Sequence, residues 1–177
     1  MEKKIYYILH GLGADPDDNW FPWLKEELEK QGHKVIVPEF PHSAQPKLKE
    51  WLDVLNRAVK DNGIGIIIGH SLGGTFAVHY ILRGGKAKKV ILVAPPFFHV
   101  DYLPKLAPID KFLDLPENLD NLNFIKLDFT IFYSQDDPMI PRSHGEEWAK
   151  ILDAKQIILP RGHFTILEFP EILDYID

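Results

Sequence analysis

The residues with the clearest chemical meaning are a serine and its two flanking glycines, in the run Gly-His-Ser-Leu-Gly at 69–73. A β-branched apolar run precedes this motif and a helix-like segment follows it. G-x-S-x-G between a strand and a helix is typical of a nucleophile elbow, a strained turn that holds the serine hydroxyl clear of the sheet. Both glycines are needed because a side chain there would collide with neighbouring backbone. Ser71 is therefore a candidate nucleophile, and the following helix would point its N–H groups at a developing anion.

A serine hydroxyl needs a base to take its proton, and the base needs a carboxylate to orient it. Two later stretches carry such groups: Ser-Gln-Asp-Asp-Pro-Met-Ile-Pro at 134–141 and Pro-Arg-Gly-His-Phe at 160–164. Each follows a predicted strand. The order serine, acid, histidine is the one found in folds that carry this elbow. The candidates are Asp136 or Asp137 as the acid and His163 as the base.

The elements that position these groups alternate between strand and helix. Apolar runs predict strands at 5–9, 35–37, 64–68, 89–93, 129–133 and 156–159, and helices are predicted at 20–31, 47–61, 75–83, 146–152 and 164–176. Uninterrupted apolar strands alternating with helices are typical of a parallel sheet covered by helices on both faces. Ligands in such sheets bind at the carboxyl ends of the strands, so residues far apart in sequence share one cleft.

The composition limits the possible functions. A chain of 177 residues, 45% hydrophobic and 26% charged, is typical of one globular domain. The net charge of −6 argues against nucleic acid or an anionic membrane as a partner. The chain has no cysteine, which excludes cysteine nucleophiles and disulfides. The apolar run at 5–9 is too short for a signal peptide or membrane span. We expect a cytoplasmic protein.

Taken together, these motifs resemble the α/β-hydrolase superfamily, and most of all its small branch around retinoblastoma-binding protein 9 and related bacterial serine hydrolases. His-Gly at 10–11 and Asn-Trp-Phe-Pro-Trp-Leu at 19–24 add to the resemblance, which spans essentially the whole chain. It implies a minimal α/β-hydrolase fold over 1–177, a three-layer sandwich with a parallel sheet of about six strands.

The resemblance also implies roles for the candidate residues. Ser71 would be the nucleophile and His163 the base. The superfamily acid commonly lies in D-x-x-I/V-P, which favours Asp137 as the acid and makes Asp136 a turn residue. Asp136 as the acid is the alternative. The oxyanion hole needs two N–H donors, expected from the backbone of Leu72 and from Leu12 in the His-Gly-Leu-Gly loop at 10–13.

The predicted function is that of a carboxylesterase-like serine hydrolase, which cleaves small carboxylic esters, or amides or thioesters, through an acyl-enzyme. A non-catalytic binding protein and an acyltransferase are the alternatives. We expect a small-molecule acyl substrate, no cofactor and no metal, because a site built from His10, His70 and His163 lacks the usual ligand spacing. The sequence leaves any protein partner and the oligomeric state open.

The remaining predictions concern the pocket and the other histidines. The proline-broken stretch around 95–126 predicts a small cover over the active site. Trp20 and Phe97 are candidate walls of a shallow pocket for short acyl groups. We interpret His70 and His79 as packing residues. The other four histidines are predicted in loops or at the surface: His33, His42, His99 and His144.

Overall fold

A computed structural model describes residues 2–97, 109–115 and 126–176. These residues form a six-stranded parallel sheet, in the order β2-β1-β3-β4-β5-β6, with helices on both faces, which confirms the predicted fold class. The strands are β1 (Ile5–Leu9), β2 (Lys34–Ile36), β3 (Ile66–His70), β4 (Lys89–Val93), β5 (Asp128–Ser134) and β6 (Lys155–Leu159). The helices are α1 (Phe21–Lys30), α2 (Leu48–Asn62), α3 (Leu72–Leu82), α4 (Asp110–Leu113), α5 (Arg142–Leu152) and a 3₁₀ helix (Pro170–Tyr175).

The strands divide the apolar core between the two faces of the sheet. Successive strand side chains point to opposite faces, so Ile67 packs on one side while Ile66 and Ile68 pack on the other. The first core takes aromatic residues from α2, α3, α4 and α5, namely Trp51, Phe76, Phe112 and Trp148. The second core is formed by α1, the 3₁₀ helix and the residues before it, with Phe21, Leu24, Phe164, Phe169 and Ile172. Helices thus cover both faces of the strands.

The element that differs most from its prediction is the last helix. Residues 164–176 were expected to be helical, but only Pro170–Tyr175 forms a 3₁₀ helix. Pro170 lacks a backbone N–H and so favours the start of a helical segment over its middle. Phe164 and Phe169 are fully buried, and the irregular backbone between them allows both rings to reach the second core.

Two boundaries beside the candidate site also differ. Strand β3 was predicted at 64–68 but runs from Ile66 to His70, so it ends directly before Ser71. Helix α3 begins at Leu72 instead of at 75. The glycines that obscured both boundaries in the sequence lie inside the strand and the first turn of the helix. Ser71 is therefore the single residue that joins β3 to α3.

The predictions for the histidines are correct in part. His70 and His79 are buried, as expected. His33 lies in the loop before β2, as predicted, although it is buried there, and the loop or surface placement of His144 was wrong. His144 lies in α5 and accepts a hydrogen bond from the Phe97 N–H at 2.9 Å. This bond gives the ring a partner inside the protein. His42 is exposed, and His99 lies outside the described residues.

The predicted cover around 95–126 falls mostly outside the described residues. Of this stretch the structure describes 95–97, 109–115 and residue 126. Helix α4 lies within the second of these ranges and packs through Phe112 against Trp51 and Phe76. His79 Nε2 lies 2.6 Å from the Phe112 carbonyl oxygen and donates to it. In the described ranges, no helix has the length and apolar character required to cross a membrane.

We predict that the free energy of unfolding falls as the pH drops below about 6.5. Burial lowers the pKa of His70 to about 3 and that of His79 to about 4, from a reference value of 6.5. Below 6.5 the unfolded chain therefore binds protons that the folded chain does not. This linkage contribution is present in full above 6.5 and is lost toward acidic pH, at about 1.4 kcal/mol per pH unit for each histidine.

Urea unfolding at several pH values between 7 and 4.5 measures this slope. The variant His79→Gln should reduce the slope by about 1.4 kcal/mol per pH unit. His42→Gln makes the same substitution at an exposed histidine and serves as the control for it. An unaltered slope in His79→Gln would contradict the prediction.

Candidate active site

The turn that presents Ser71 depends on very close backbone packing. Ser71 has φ 51° and ψ −126°, a conformation that L-residues rarely adopt. A Cβ at Gly69 would lie 2.4 Å from the Gly73 carbonyl oxygen, and one at Gly73 would lie 2.4 Å from the Leu9 carbonyl oxygen. The expected need for both glycines is therefore met in the geometry. The Ser71 N–H is anchored by the Val93 carbonyl oxygen at 2.8 Å.

Three side chains from different strand ends meet at this turn. His163 Nε2 lies 3.0 Å from Ser71 Oγ, and His163 Nδ1 lies 2.8 Å from Asp137 Oδ2. His163 is 6% exposed and the Asp137 side chain is 1% exposed, so little water competes for these bonds. The Asp137 carboxylate can only accept a hydrogen bond, so His163 Nδ1 carries the proton and donates it. The Nε2 lone pair is then directed at the Ser71 hydroxyl.

The two neighbouring aspartates have different surroundings. Asp137 Oδ1 accepts hydrogen bonds from the N–H groups of Met139 at 2.7 Å and Ile140 at 2.9 Å. Burial raises the pKa of the Asp137 carboxyl, but His163 and these two N–H groups lower it by more, so the pKa lies below its usual value. The carboxylate is therefore ionised at neutral pH and faces His163.

Asp136 is exposed, and its carboxylate is hydrogen-bonded to groups other than His163. Its Oδ1 accepts the Gly162 N–H at 3.0 Å and a hydrogen bond from the Ser134 hydroxyl. These two bonds lower the pKa of its carboxyl. Asp136 thus joins the loop after β5 to the loop that carries His163, whereas the carboxylate that lies against the His163 ring is that of Asp137.

The loop at 10–13 lies directly against the elbow. A Cβ at Gly11 would lie 3.0 Å from Ser71 Cβ and 3.4 Å from the Leu72 nitrogen. His10 Nε2 accepts the Phe40 N–H at 3.0 Å, and the Gly13 N–H donates to the Ser43 carbonyl at 2.8 Å. The segment around residues 40–43 therefore supports the loop from behind.

Both predicted oxyanion donors are close to Ser71. Leu72 is the first residue of α3, so its N–H has no carbonyl one turn earlier within the helix. Leu12 lies in the loop beside it and lines the same cavity as Ser71. The role of their backbone N–H groups as oxyanion donors stays a prediction.

A cavity of about 280 Å³ opens at Ser71. The described residues that line it include the glycine loop, which is the loop at 10–13 with Leu12, and also Asp18, Asn19, Met139 and Thr165. Trp20 is not among them: it is fully buried between Phe21 and Phe169, so its prediction as a pocket wall was wrong. Phe97 packs edge-on against Trp148 at 4.8 Å and does not line this cavity either.

Four of these lining residues were not predicted from the sequence. Met139 and Thr165 each lie two positions after a predicted site residue, Asp137 and His163, and that proximity was the available signal. Asp18 and Asn19 lie in the turn before α1, where the residue predicted to line the pocket was the aromatic Trp20. Among the described residues, no group of three histidine, aspartate or glutamate side chains is arranged to hold a metal ion.

Comparison with known proteins agrees with the fold and the motifs. A family profile described as serine hydrolase matches residues 6–168. The hydrolase YdeN of Bacillus subtilis (strain 168) is 29% identical over 172 residues, covering 93% of this chain and 87% of YdeN. The serine hydrolase RBBP9 of Rattus norvegicus is 26% identical over 173 residues, covering 97% of this chain and 91% of RBBP9.

A solved structure gives the same result. The crystal structure of the ydeN gene product of B. subtilis superimposes with a TM-score of 0.86 at 25% identity, covering 97% of this chain and 96% of that one. The profile match spans most of the sequence, and the chain therefore belongs to the serine hydrolase family. It is a hydrolase with an α/β-hydrolase fold.

Proposed function

We propose that the protein hydrolyses small carboxylic esters, with Ser71 as nucleophile, His163 as general base and Asp137 as the carboxylate that orients the base. The observation that carries the proposal is the continuous run of hydrogen bonds from Asp137 Oδ2 through His163 to Ser71 Oγ, at 2.8 and 3.0 Å. This run ends at the cavity, where a carbonyl carbon can approach the hydroxyl. Thioesters and amides present the same electrophilic carbon and are further candidate substrates.

In the first half of the reaction, Ser71 Oγ attacks the substrate carbonyl carbon while its proton passes to His163 Nε2. The carbonyl oxygen becomes an oxyanion, which the N–H groups of Leu72 and Leu12 stabilise. Asp137 stabilises the imidazolium that forms on His163. When the tetrahedral intermediate collapses, the bond to the leaving alcohol breaks and His163 returns the proton to that alcohol's oxygen.

In the second half, water takes the place of the alcohol. His163 Nε2 accepts a proton from water as its oxygen attacks the Ser71 ester. The same N–H groups stabilise the second oxyanion. Collapse breaks the bond between Ser71 Oγ and the acyl carbon, and His163 gives the proton back to Ser71. The net reaction consumes one water and releases an acid and an alcohol.

The size of the cavity supports short acyl groups as substrates. At about 280 Å³ it falls just below the range of pockets that enclose drug-sized ligands, roughly 300–1,000 Å³. Its described lining combines Leu12 and Met139 with the polar side chains of Asp18, Asn19 and Thr165. This mixed, small surface gives a long alkyl chain little apolar area to bury.

We predict that Ser71→Ala lowers ester hydrolysis by at least about 10³-fold, because the oxyanion donors cannot replace the nucleophile. Hydrolysis of p-nitrophenyl acetate and labelling by a fluorophosphonate probe measure the loss. Ser43→Ala is the control, since Ser43 supports the glycine loop through its backbone carbonyl. Turnover or labelling close to wild type in Ser71→Ala would refute the proposed mechanism.

Asp137→Asn should lower kcat by about 10³- to 10⁴-fold. Asp136→Asn should lower it far less. An amide at 137 favours the tautomer whose Nε2 is protonated, which cannot accept the serine proton. An asparagine at 136 still accepts the Gly162 N–H through its side-chain oxygen. The two substitutions are chemically identical and one position apart, so each controls for the other. A larger loss in Asp136→Asn would contradict the assignment.

The acyl preference is measured by kcat/KM for p-nitrophenyl esters from acetyl to octanoyl. In a deep apolar groove, each added methylene would raise kcat/KM about fourfold, because burying it contributes about 0.8 kcal/mol. We predict instead that kcat/KM peaks at acetyl to butanoyl and then falls, since further methylenes extend beyond the cavity. A steady rise to octanoyl would contradict a small cavity. Analysis of the acyl products, free acid or new ester, after a short alcohol is added to the same assay distinguishes hydrolysis from acyl transfer.

A further inference from the structure

The loop that carries His163 has little support from regular structure. It follows β6, which is an edge strand with several exposed residues. Gly162 and Phe164, on either side of His163, both have a φ of 53°, so the backbone is in a left-handed conformation at both positions. A hydrogen bond to Ser71 requires the His163 ring to be held to within a few tenths of an ångström. Side-chain contacts to the loop must therefore supply the precision.

His70 makes one of these contacts from a buried position. It is 3% exposed, and its Nε2 lies 2.8 Å from the backbone carbonyl oxygen of His163. A carbonyl oxygen only accepts, so His70 Nε2 carries the proton and donates. The His70 and His163 rings also pack against each other, with centroids 5.1 Å apart. His70 thus holds both the backbone and one face of the ring of His163.

The His70 ring is itself fixed. Trp20 and Phe21, at the start of α1, pack edge-on against it with centroids at 6.0 and 5.8 Å. His70 is the last residue of β3, next to the elbow, so the strand fixes its backbone. Burial lowers the pKa of His70 to about 3, which keeps the ring neutral across the physiological range. The donor is therefore held rigidly and in one protonation state.

We propose that His70 is a positioning residue for hydrolysis, which fixes the His163 backbone so that Nε2 of the base stays within reach of Ser71 Oγ. His70 precedes Ser71 directly, so one residue joins the nucleophile's turn to the loop of the base. This inference rests on the proposed roles of Ser71 and His163. Displacement of a catalytic group by about 1 Å can cost on the order of 10²-fold in rate.

Asp136 contacts the other side of the same loop. Its carboxylate accepts the Gly162 N–H at 3.0 Å, but it does so at the exposed surface, where water also serves as a partner. A lost surface bond is readily replaced by water, whereas a buried carbonyl that loses its donor is left unsatisfied. Of these two bonds to the loop, the one from His70 is therefore the costlier to lose.

The test separates the ring of His70 from its N–H donor. His70→Phe keeps an aromatic ring against Trp20 and Phe21 but has no donor, and it should lower kcat by about 10- to 100-fold with KM within about twofold. His70→Gln loses the ring but places an amide N–H near the position of Nε2, and it should retain kcat within about fivefold. His70→Asn, whose amide is too short to reach the carbonyl, should behave like His70→Phe and replaces it if that variant does not fold.

His79 offers a matched structural control. It is a fully buried histidine in α3, and its Nε2 also donates to a backbone carbonyl, that of Phe112, at 2.6 Å. His79→Phe should lower the midpoint of thermal unfolding as much as His70→Phe does, yet leave kcat within about twofold of wild type. A purely structural role for His70 would make the two variants equal in kcat.

Proton NMR provides a readout that is independent of turnover. The proton shared by His163 Nδ1 and Asp137 should give a downfield resonance in the wild type, in His79→Phe and in His70→Gln. The same resonance should be shifted or broadened beyond detection in His70→Phe and His70→Asn. These variants would then carry a displaced base in a folded protein.

The proposal is overturned if His70→Phe and His79→Phe have the same kcat, or if His70→Gln loses as much activity as His70→Asn. Ser71→Ala is measured alongside, so that failure of the proposed function can be distinguished from failure of the positioning role of His70. Activity that survives Ser71→Ala would refute the proposed function itself. An inactive Ser71→Ala together with a fully active His70→Phe would refute only the positioning role.

Discussion

The site depends on how closely three stretches of backbone approach one another at the elbow. The chain turns from β3 into α3 at a single residue, Ser71, whose φ of 51° is unfavourable for a side-chain-bearing residue. Contact with the end of β1 is so close that a Cβ at Gly73 would lie 2.4 Å from one carbonyl oxygen and 2.5 Å from the next. The buried helix behind the turn compensates for this strain, because ten of its eleven residues are buried. Packing of α3 into the core thus keeps the half-buried Ser71 at the cavity.

The three groups of the site differ in how firmly the fold holds them. Ser71 is fixed by the central strand β3 and by α3, whereas Asp137 and His163 follow β5 and β6 toward one edge of the sheet. The Asp137 carboxylate is held by two N–H groups of its own loop. His163 is held by contacts from His70, Asp137 and Ser71, which reach it from other elements, and by the buried ring of the neighbouring Phe164. The base is therefore the group whose position is most sensitive to distant packing.

The sequence was sufficient to predict the sheet and the three residues that converge, and the reason is physical. Buried parallel strands must be continuous apolar runs, and residues such as Ser71 and His163 that follow them meet at one edge whatever their separation in sequence. The exact ends of β3 and α3 could not be read, because glycines at the elbow lack the usual strand and helix preferences. The orientation of Trp20 is set by Phe169 and His70, partners distant in sequence, so no local pattern indicated that it points into the core. His144 is buried for a similar reason, since its partner, the Phe97 N–H, comes from 47 residues away.

The distribution of charge among the histidines also constrains the chemistry. The proposed reaction requires a positive charge to form on His163, 5.1 Å from the ring centroid of His70. A charged His70 at that distance would oppose the imidazolium, and in a buried setting such repulsion is only weakly screened. Burial prevents this, because it holds the pKa of His70 at about 3, and the charge on His163 itself lowers that pKa further. Burial alone would raise the pKa of the Asp137 carboxyl, but its three hydrogen bonds and the interaction with His163 lower it by more, so a negative charge faces His163 directly. The stability of the imidazolium thus depends both on the carboxylate that is charged and on a neighbour of the base that stays neutral.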